Sequence, residues 1–385
     1  MGRVASAAKQ VGSRVLRLLP AGPKPFRPFF LLAVFDAVLG SLLPVALLEG
    51  AGQSVPADWH RNLLLFAFVP AMLSGFLLTA LPRWTRLPLP VLATPVLLAL
   101  SLVTRACLLF FPALGIALAS LCILALGLLT AAHIYASGDR RNIKIAGLLI
   151  ALGGAAFSAD FGSEAAVRVA LGAIVGLLLV VGGRVVPELT KNYAGQAGGR
   201  VELRRSPVVE RAAAITAAGA LSLWSVTPES SLTAFAAFLA ATVQLIRAAG
   251  WQGWRVRASS VLALHVGYFW IVAGFALLSA HVLAPDIVTR ATFLHAWTIG
   301  GIGTMGLAVM ASMIRRHGGR PFARNGLWTA SFWAITLSAG LRLLAEFPAG
   351  GPQTWSGLST AFWVAAFVLF LAAFRDTLLA RKAPA

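Results

Sequence analysis

Residues 259–282 read SSVLALHVGYFWIVAGFALLSAHV, and residues 288–313 read VTRATFLHAWTIGGIGTMGLAVMASM. Each stretch is near or above the roughly 20 residues that an α-helix needs to cross a bilayer. Each also carries a histidine inside it, His265 in the first and His295 in the second. An imidazole within hydrocarbon is costly, so its default reading is a functional site. Neutral imidazole is also the commonest metal and haem ligand.

The same pattern extends outward over the chain. Apolar runs bounded by charge or proline fall at about 28–48, 62–82, 91–111, 113–136, 143–159, 165–187, 208–225, 231–249, 259–282, 288–313, 326–346 and 354–375. The 385 residues are 58% hydrophobic and 12% charged, about half the charge of a soluble domain. The expected fold is an all-α, polytopic transmembrane helical bundle of about 12 spans. Its expected parts are a basic leader (1–27), a six-helix half (28–187), a loop (188–207), a second six-helix half (208–377) and a tail (378–385).

The net charge of +19 fits this reading. Arg61, Arg168 and Arg290 fall on the expected outer side, and Arg105 and Arg342 lie within spans. All other Lys and Arg residues fall on the expected inner side, which places both termini in the cytoplasm. Charges scattered between apolar spans form no basic face for nucleic acid, so the bilayer is the expected partner. Cys107 and Cys122 both lie in apolar runs and read as packing residues. The glycines at 300, 301, 303 and 306 read as helix-packing sites.

Depth follows from the 1.5 Å helical rise. His265 lies about 9 Å in from the inner end of its span, and His295 about 10 Å in from the outer end of its own. In a core about 30 Å thick they are separated by about 10 Å along the membrane normal, which suits two different sites, or one haem tilted between them, better than one shared ion. His295 is at the level of His60, which pairs with it as candidate axial ligands of one outer haem. His133 is at the level of His265, as candidate inner partner. Tyr268 follows His265 by one helical turn, either to donate to a bound ligand or to pack. Arg105 is a candidate for haem propionates, and Asp36 for a proton relay or a pair with Arg105. Trp270, Trp297 and Trp333 lie deep enough to wall a pocket, whereas Trp59, Trp84, Trp251, Trp254, Trp328 and Trp355 fit an interfacial belt. No phosphate loop, His-Glu metalloprotease motif or nucleophile elbow is present.

Several motifs taken together carry a family resemblance. Arg27-Pro28-Phe29-Phe30-Leu31-Leu32 opens the first run, and Trp59-His60 precedes Gly75-Phe76-Leu77-Leu78-Thr79-Ala80-Leu81-Pro82-Arg83-Trp84-Thr85. Gly182-Gly183-Arg184-Val185-Val186-Pro187 is followed by Thr190-Lys191-Asn192. Gly250-Trp251-Gln252-Gly253-Trp254-Arg255 leads to His265-Val266-Gly267-Tyr268. His295-Ala296-Trp297-Thr298-Ile299-Gly300 leads to His317-Gly318-Gly319-Arg320-Pro321. In this order the chain resembles the NnrS family of bacterial inner-membrane proteins.

That resemblance implies haem and copper as cofactors, with metal ligands among His60, His265 and His295. It also implies a link to denitrification or nitric oxide tolerance, with nitric oxide as a candidate ligand. Sensing, protection or metal handling is expected rather than catalytic turnover. A secondary transporter and a membrane subunit without its cofactor are the alternatives. The chain departs from the family pattern at two places. A His-Ala-His-Glu-Met run is replaced by His60-Arg61-Asn62-Leu63-Leu64, and Phe157-Ser158-Ala159-Asp160 stands where a further histidine is common. Asn62 is a poor substitute for an imidazole ligand, which weakens the expectation of copper more than that of haem.

Overall fold

A computed structural model describes residues 24–50, 57–159, 162–196, 201–319, 324–347 and 351–379. The leader up to residue 23, the middle of the long loop (197–200), Asp160, Arg320, Pro321 and the tail from residue 380 lie outside the described residues.

Helices follow the apolar runs. They are α1 (Phe26–Gly50), α2 (Ala57–Leu63, Leu64–Phe68 and Val69–Thr85 in continuous succession), α3 (Ala93–Phe110), α4 (Pro112–Ser137), α5 (Ile143–Ala159) and α6 (Glu164–Gln196). The second half contains α7 (Pro207–Val226), α8 (Ser231–Ala249), α9 (Ser259–Leu283), α10 (Arg290–His295, Ala296–Gly303 and Thr304–His317), α11 (Gly326–Leu344) and α12 (Pro352–Leu379). Among the described residues, ten helices are long and apolar enough to cross a membrane. Local chemistry sets the ends: Ser230, Thr289 and Asn325 cap α8, α10 and α11 through their side-chain oxygens. Gly138, at φ +73°, ends α4. Pro187 does not end α6, which runs on to Gln196 through the start of the expected loop.

Chain neighbours pack as antiparallel pairs, and α12 returns against α1, which closes the bundle. Burial then separates centre from periphery. In α2 and α10, 83% and 72% of the most apolar window is buried, against 28% in α3. Glycines allow the central approach, as expected: a β-carbon at Gly306 of α10 would collide with Met72 of α2, and one at Gly300 with Trp270 of α9.

The two central helices share a second property. Each changes from α to π geometry near its histidine, over Leu64–Phe68 in α2, one turn after His60, and over Ala296–Gly303 in α10, directly after His295. In α2 the cause is Pro70, whose ring would clash with the carbonyl four residues earlier in a regular helix. The widened turn relieves that clash, and the Val69 N–H reaches back to the Leu64 carbonyl. In α10 the glycines at 300, 301 and 303 permit the same widening. Such π segments occur mostly at functional sites.

A histidine-lined cavity and the family of the chain

His60 and His295 face one cavity of about 560 Å³ at the end of the bundle where α2 begins. The two histidines expected at one level thus line the same cavity. Leu64, Phe68, Leu171 and Ile302 supply apolar walls, and Ser41, Thr298 and Thr360 supply hydroxyls. Both π segments contribute to the wall, through Leu64 and Phe68 on one side and through Thr298 and Ile302 on the other.

The tautomer of each imidazole follows from its neighbour. His60 Nδ1 lies 2.8 Å from the Gly40 carbonyl, and His295 Nδ1 lies 2.8 Å from the Ala291 carbonyl. A carbonyl only accepts, so each Nδ1 carries the proton and donates it. The lone pair of each neutral ring is then on Nε2. This is the arrangement by which second-shell carbonyls orient metal-binding histidines.

Positive charge surrounds the same cavity. Arg342 lines it and is held by Glu346 at 2.5 Å, and Glu346 also accepts from Thr289 at 2.7 Å. Arg290 pairs with Glu164 at 2.7 Å, and Arg168 donates to the Ser225 carbonyl at 3.3 Å. Arg105 is placed otherwise. Its Nε and one terminal nitrogen grip both carboxylate oxygens of Asp36, and the other terminal nitrogen donates to the Ser101 carbonyl at 2.6 Å. Asp36 is wholly buried and Arg105 nearly so, and each neutralises the other. Of the two readings of Asp36, the pair with Arg105 is therefore the one formed. The span arginine at the cavity is Arg342, beside Arg61, Arg168 and Arg290, and Arg105 does not line it.

The remaining candidates lie elsewhere. His265 Nε2 is 2.9 Å from Thr190 Oγ1, and that hydroxyl donates to the Val186 carbonyl at 2.8 Å. His265 therefore donates through Nε2, which leaves its lone pair on Nδ1. The Gly253 backbone covers Nδ1 so closely that a β-carbon there would sit 2.5 Å away. In His133 the two ring nitrogens lie 3.1 and 3.2 Å from the Leu129 and Pro88 carbonyls. Each of these rings is bonded to its own surroundings, His265 to α6 and His133 to α4 and the α2–α3 connection, and the structure does not bring them together.

Tyr268 is fully buried. Its hydroxyl donates to Gln244 Oε1 and accepts from Arg247 at 3.0 Å. Arg247 also pairs with Glu210 at 2.6 Å, so α7, α8 and α9 are joined by a polar network within the bundle. Of the two readings of Tyr268, packing within the protein is the one seen. The only sequence signal of this network is Gln244 and Arg247, three apart on an otherwise apolar helix.

The tryptophans also differ from expectation. Trp224 and Trp363 line the cavity, while Trp297 packs among Trp224, Phe275 and Phe293 and donates to the Ile271 carbonyl at 3.1 Å. Trp270 lies against Gly300, and Trp333 is half exposed on the outside of the bundle. Trp251 and Trp328 are buried rather than interfacial. Trp251 stacks edge-on against Tyr268 with centroids 4.6 Å apart.

Asn62 and Leu63, where the family pattern has other residues, do not line the cavity. Leu63 packs instead with Ala67, Leu108 and Ile116, away from the cavity. Their replacement therefore leaves the His60–His295 cavity intact. Among the described residues, no three His, Cys, Asp or Glu side chains converge in a way that would hold a metal ion.

These features define a polytopic helical membrane protein with a histidine-lined cavity at one end of its bundle. A family model described as NnrS protein matches residues 23–382, nearly the whole chain, and the chain belongs to that family. No curated protein matches it.

Proposed function

We propose that this NnrS-type protein binds one haem between His60 and His295 and acts in nitric oxide tolerance or denitrification. It would cross the bacterial inner membrane twelve times, with both termini in the cytoplasm and the cavity on the opposite side. The carrying observation is the pair of imidazoles, each with Nδ1 tied to a carbonyl and Nε2 left as lone pair, facing one cavity. The volume is within the range of small-molecule and cofactor sites. The apolar walls suit a macrocycle, and Arg342 suits its carboxylates.

The protein's own residues have separable roles here. Gly40 and Ala291 fix the ring orientations, and Glu346 aims Arg342. Leu64, Phe68 and Trp363 exclude water. A bound haem, held by His60 and His295, would supply redox chemistry and an iron able to bind nitric oxide. Copper is less well supported: among the described residues no third ligand converges on the two imidazoles, and two alone do not make a retentive copper site.

The optical spectrum of the full chain, purified in detergent after expression with ample haem, tests this. A Soret band is expected, and it should vanish in His60→Ala and in His295→Ala. A colourless wild-type protein would refute the haem reading and favour a subunit without cofactor. A second reading, secondary transport, is favoured by a larger cavity of about 1450 Å³ at the other end of the bundle. Substrate flux in proteoliposomes from a colourless preparation would support it.

A further inference from the structure

The larger cavity has a charged mouth and an apolar interior. Arg83 and Phe76 of α2 both line it, as do Arg316 and Val309 of α10. Each pair is seven residues apart, so on both helices the recess extends about 10 Å inward from its cationic rim. It is a recess within the bundle, not a stretch of loop surface.

The charges around it are unbalanced. Asp139 is bonded to Arg141 at 2.8 Å, and Arg205 to Glu210 at 3.1 Å. Arg184 is held by Asn142 and by the Arg141 carbonyl. Glu188 accepts only a long bond from Asn192, at 3.4 Å. Arg83, Arg86, Lys191 and Arg316 form no ion pair among the described residues, yet they line one recess. Like charges gathered in a concave site repel one another unless an anion joins them.

One further observation points to a ligand. Ser260 lines the recess, is 3% exposed, and has a hydroxyl with no hydrogen-bond partner among the described residues. Native structures seldom leave such a group unsatisfied. Arg86 ends α2 at φ 59°, a left-handed conformation that side chains other than glycine's seldom adopt. As the C-cap of α2, its backbone N–H bonds the Pro82 carbonyl, which fixes the position of its side chain at the rim.

We propose that this recess binds a phosphate-bearing anion, held by Arg83, Arg86, Lys191 and Arg316 with Ser260 as a hydroxyl donor. Guanidinium groups match phosphate oxygens in paired hydrogen bonds, and three of the four free cations are arginines. The phosphate comes either from a soluble ion or from an anionic lipid headgroup, whose chains would use the apolar interior. The proposal is independent of the haem reading, because no residue is shared between the two cavities.

The test measures thermal unfolding of the full chain in zwitterionic detergent, titrated with pyrophosphate, and separately in nanodiscs of phosphatidylcholine with or without phosphatidylglycerol. A rise in Tm with pyrophosphate identifies a soluble phosphate, and a rise with phosphatidylglycerol alone identifies a headgroup. In Arg83→Gln/Arg316→Gln, the half-saturating concentration of the active probe should increase about tenfold or more. Arg86→Gln/Lys191→Gln provides a second variant should the first not fold, with the same expected weakening. Arg375→Gln, outside the recess, should leave the response unchanged. Absence of any rise in the wild type with both probes, or an undiminished rise in the recess variants, overturns the proposal.

Discussion

The histidines at the two ends of the bundle differ in what their second ring nitrogen meets, and exposure does not separate them: His60 is exposed, His265 and His295 are half-buried and His133 is buried. At the α2-start end, His60 and His295 each spend Nδ1 on a carbonyl and face a shared cavity. At the other end, His133 has a carbonyl at each nitrogen, and His265 is closed in by Thr190 and Gly253. A buried histidine is thus no marker of a ligand site in itself. What separates the two kinds is a lone pair with room in front of it.

The largest expected effect breaks this comparison outright if it fails. His265→Ala should keep the full Soret band that His60→Ala and His295→Ala lose, while thermal unfolding shows a stability loss of about 1–3 kcal/mol from the hydrogen bond and packing around Thr190. A lost band in His265→Ala would move the cofactor to the other end. Arg105→Ala should cost about 3–5 kcal/mol in the same measurement, because it leaves Asp36 buried without its partner. With haem supplied, the position of the band should be unaltered in whatever fraction folds, since Arg105 stands outside the cavity.

Tyr268→Phe sharpens the same contrast at smaller scale. It removes the hydroxyl shared by Gln244 and Arg247, and a loss of about 1–3 kcal/mol should appear in unfolding with no change in the spectrum. The smallest effect is at Asp139, outside the spans, where hydrogen bonds from Arg141 pull the carboxyl down from 3.8 to about 2. A depressed carboxyl stabilises the fold above its unfolded value and loses that contribution as pH falls toward the folded one. Asp139→Asn should therefore flatten the pH dependence of Tm only between about 4 and 2, by a slight amount because the group is exposed.

Much of the site was legible in advance because depth is a one-dimensional property. Counting residues from the ends of the apolar runs places His60 level with His295, and Asp36 within reach of Arg105. Rotation about a helix axis is different. Whether Arg342 or Arg105 turns toward the cavity depends on which neighbour each helix meets. Arg105 meets Asp36 of α1, and Arg342 meets Glu346 one turn along its own helix. The same holds for Trp297, which sits two residues after His295 and points away from the cavity into the aromatic cluster around Phe275.

The π segments were out of reach for a further reason. Pro70 and the glycines near 300 are visible in the sequence, but a regular helix with a kink would satisfy them equally well. Only the structure shows which of the two is adopted, the widened turn in both helices.

The sequence by itself determined that this chain is a bundle of apolar helices, because hydrocarbon leaves a backbone few other ways to satisfy its polar groups. It also determined the family, through the order of its motifs, and the levels at which the histidines lie. Only the tertiary structure decided which imidazoles keep a free lone pair, which arginine stands beside them, and that four unpaired cations share a recess at the other end. Those are relations between helices distant in sequence, set by side-chain packing across their interfaces, and no local pattern in the chain encodes them.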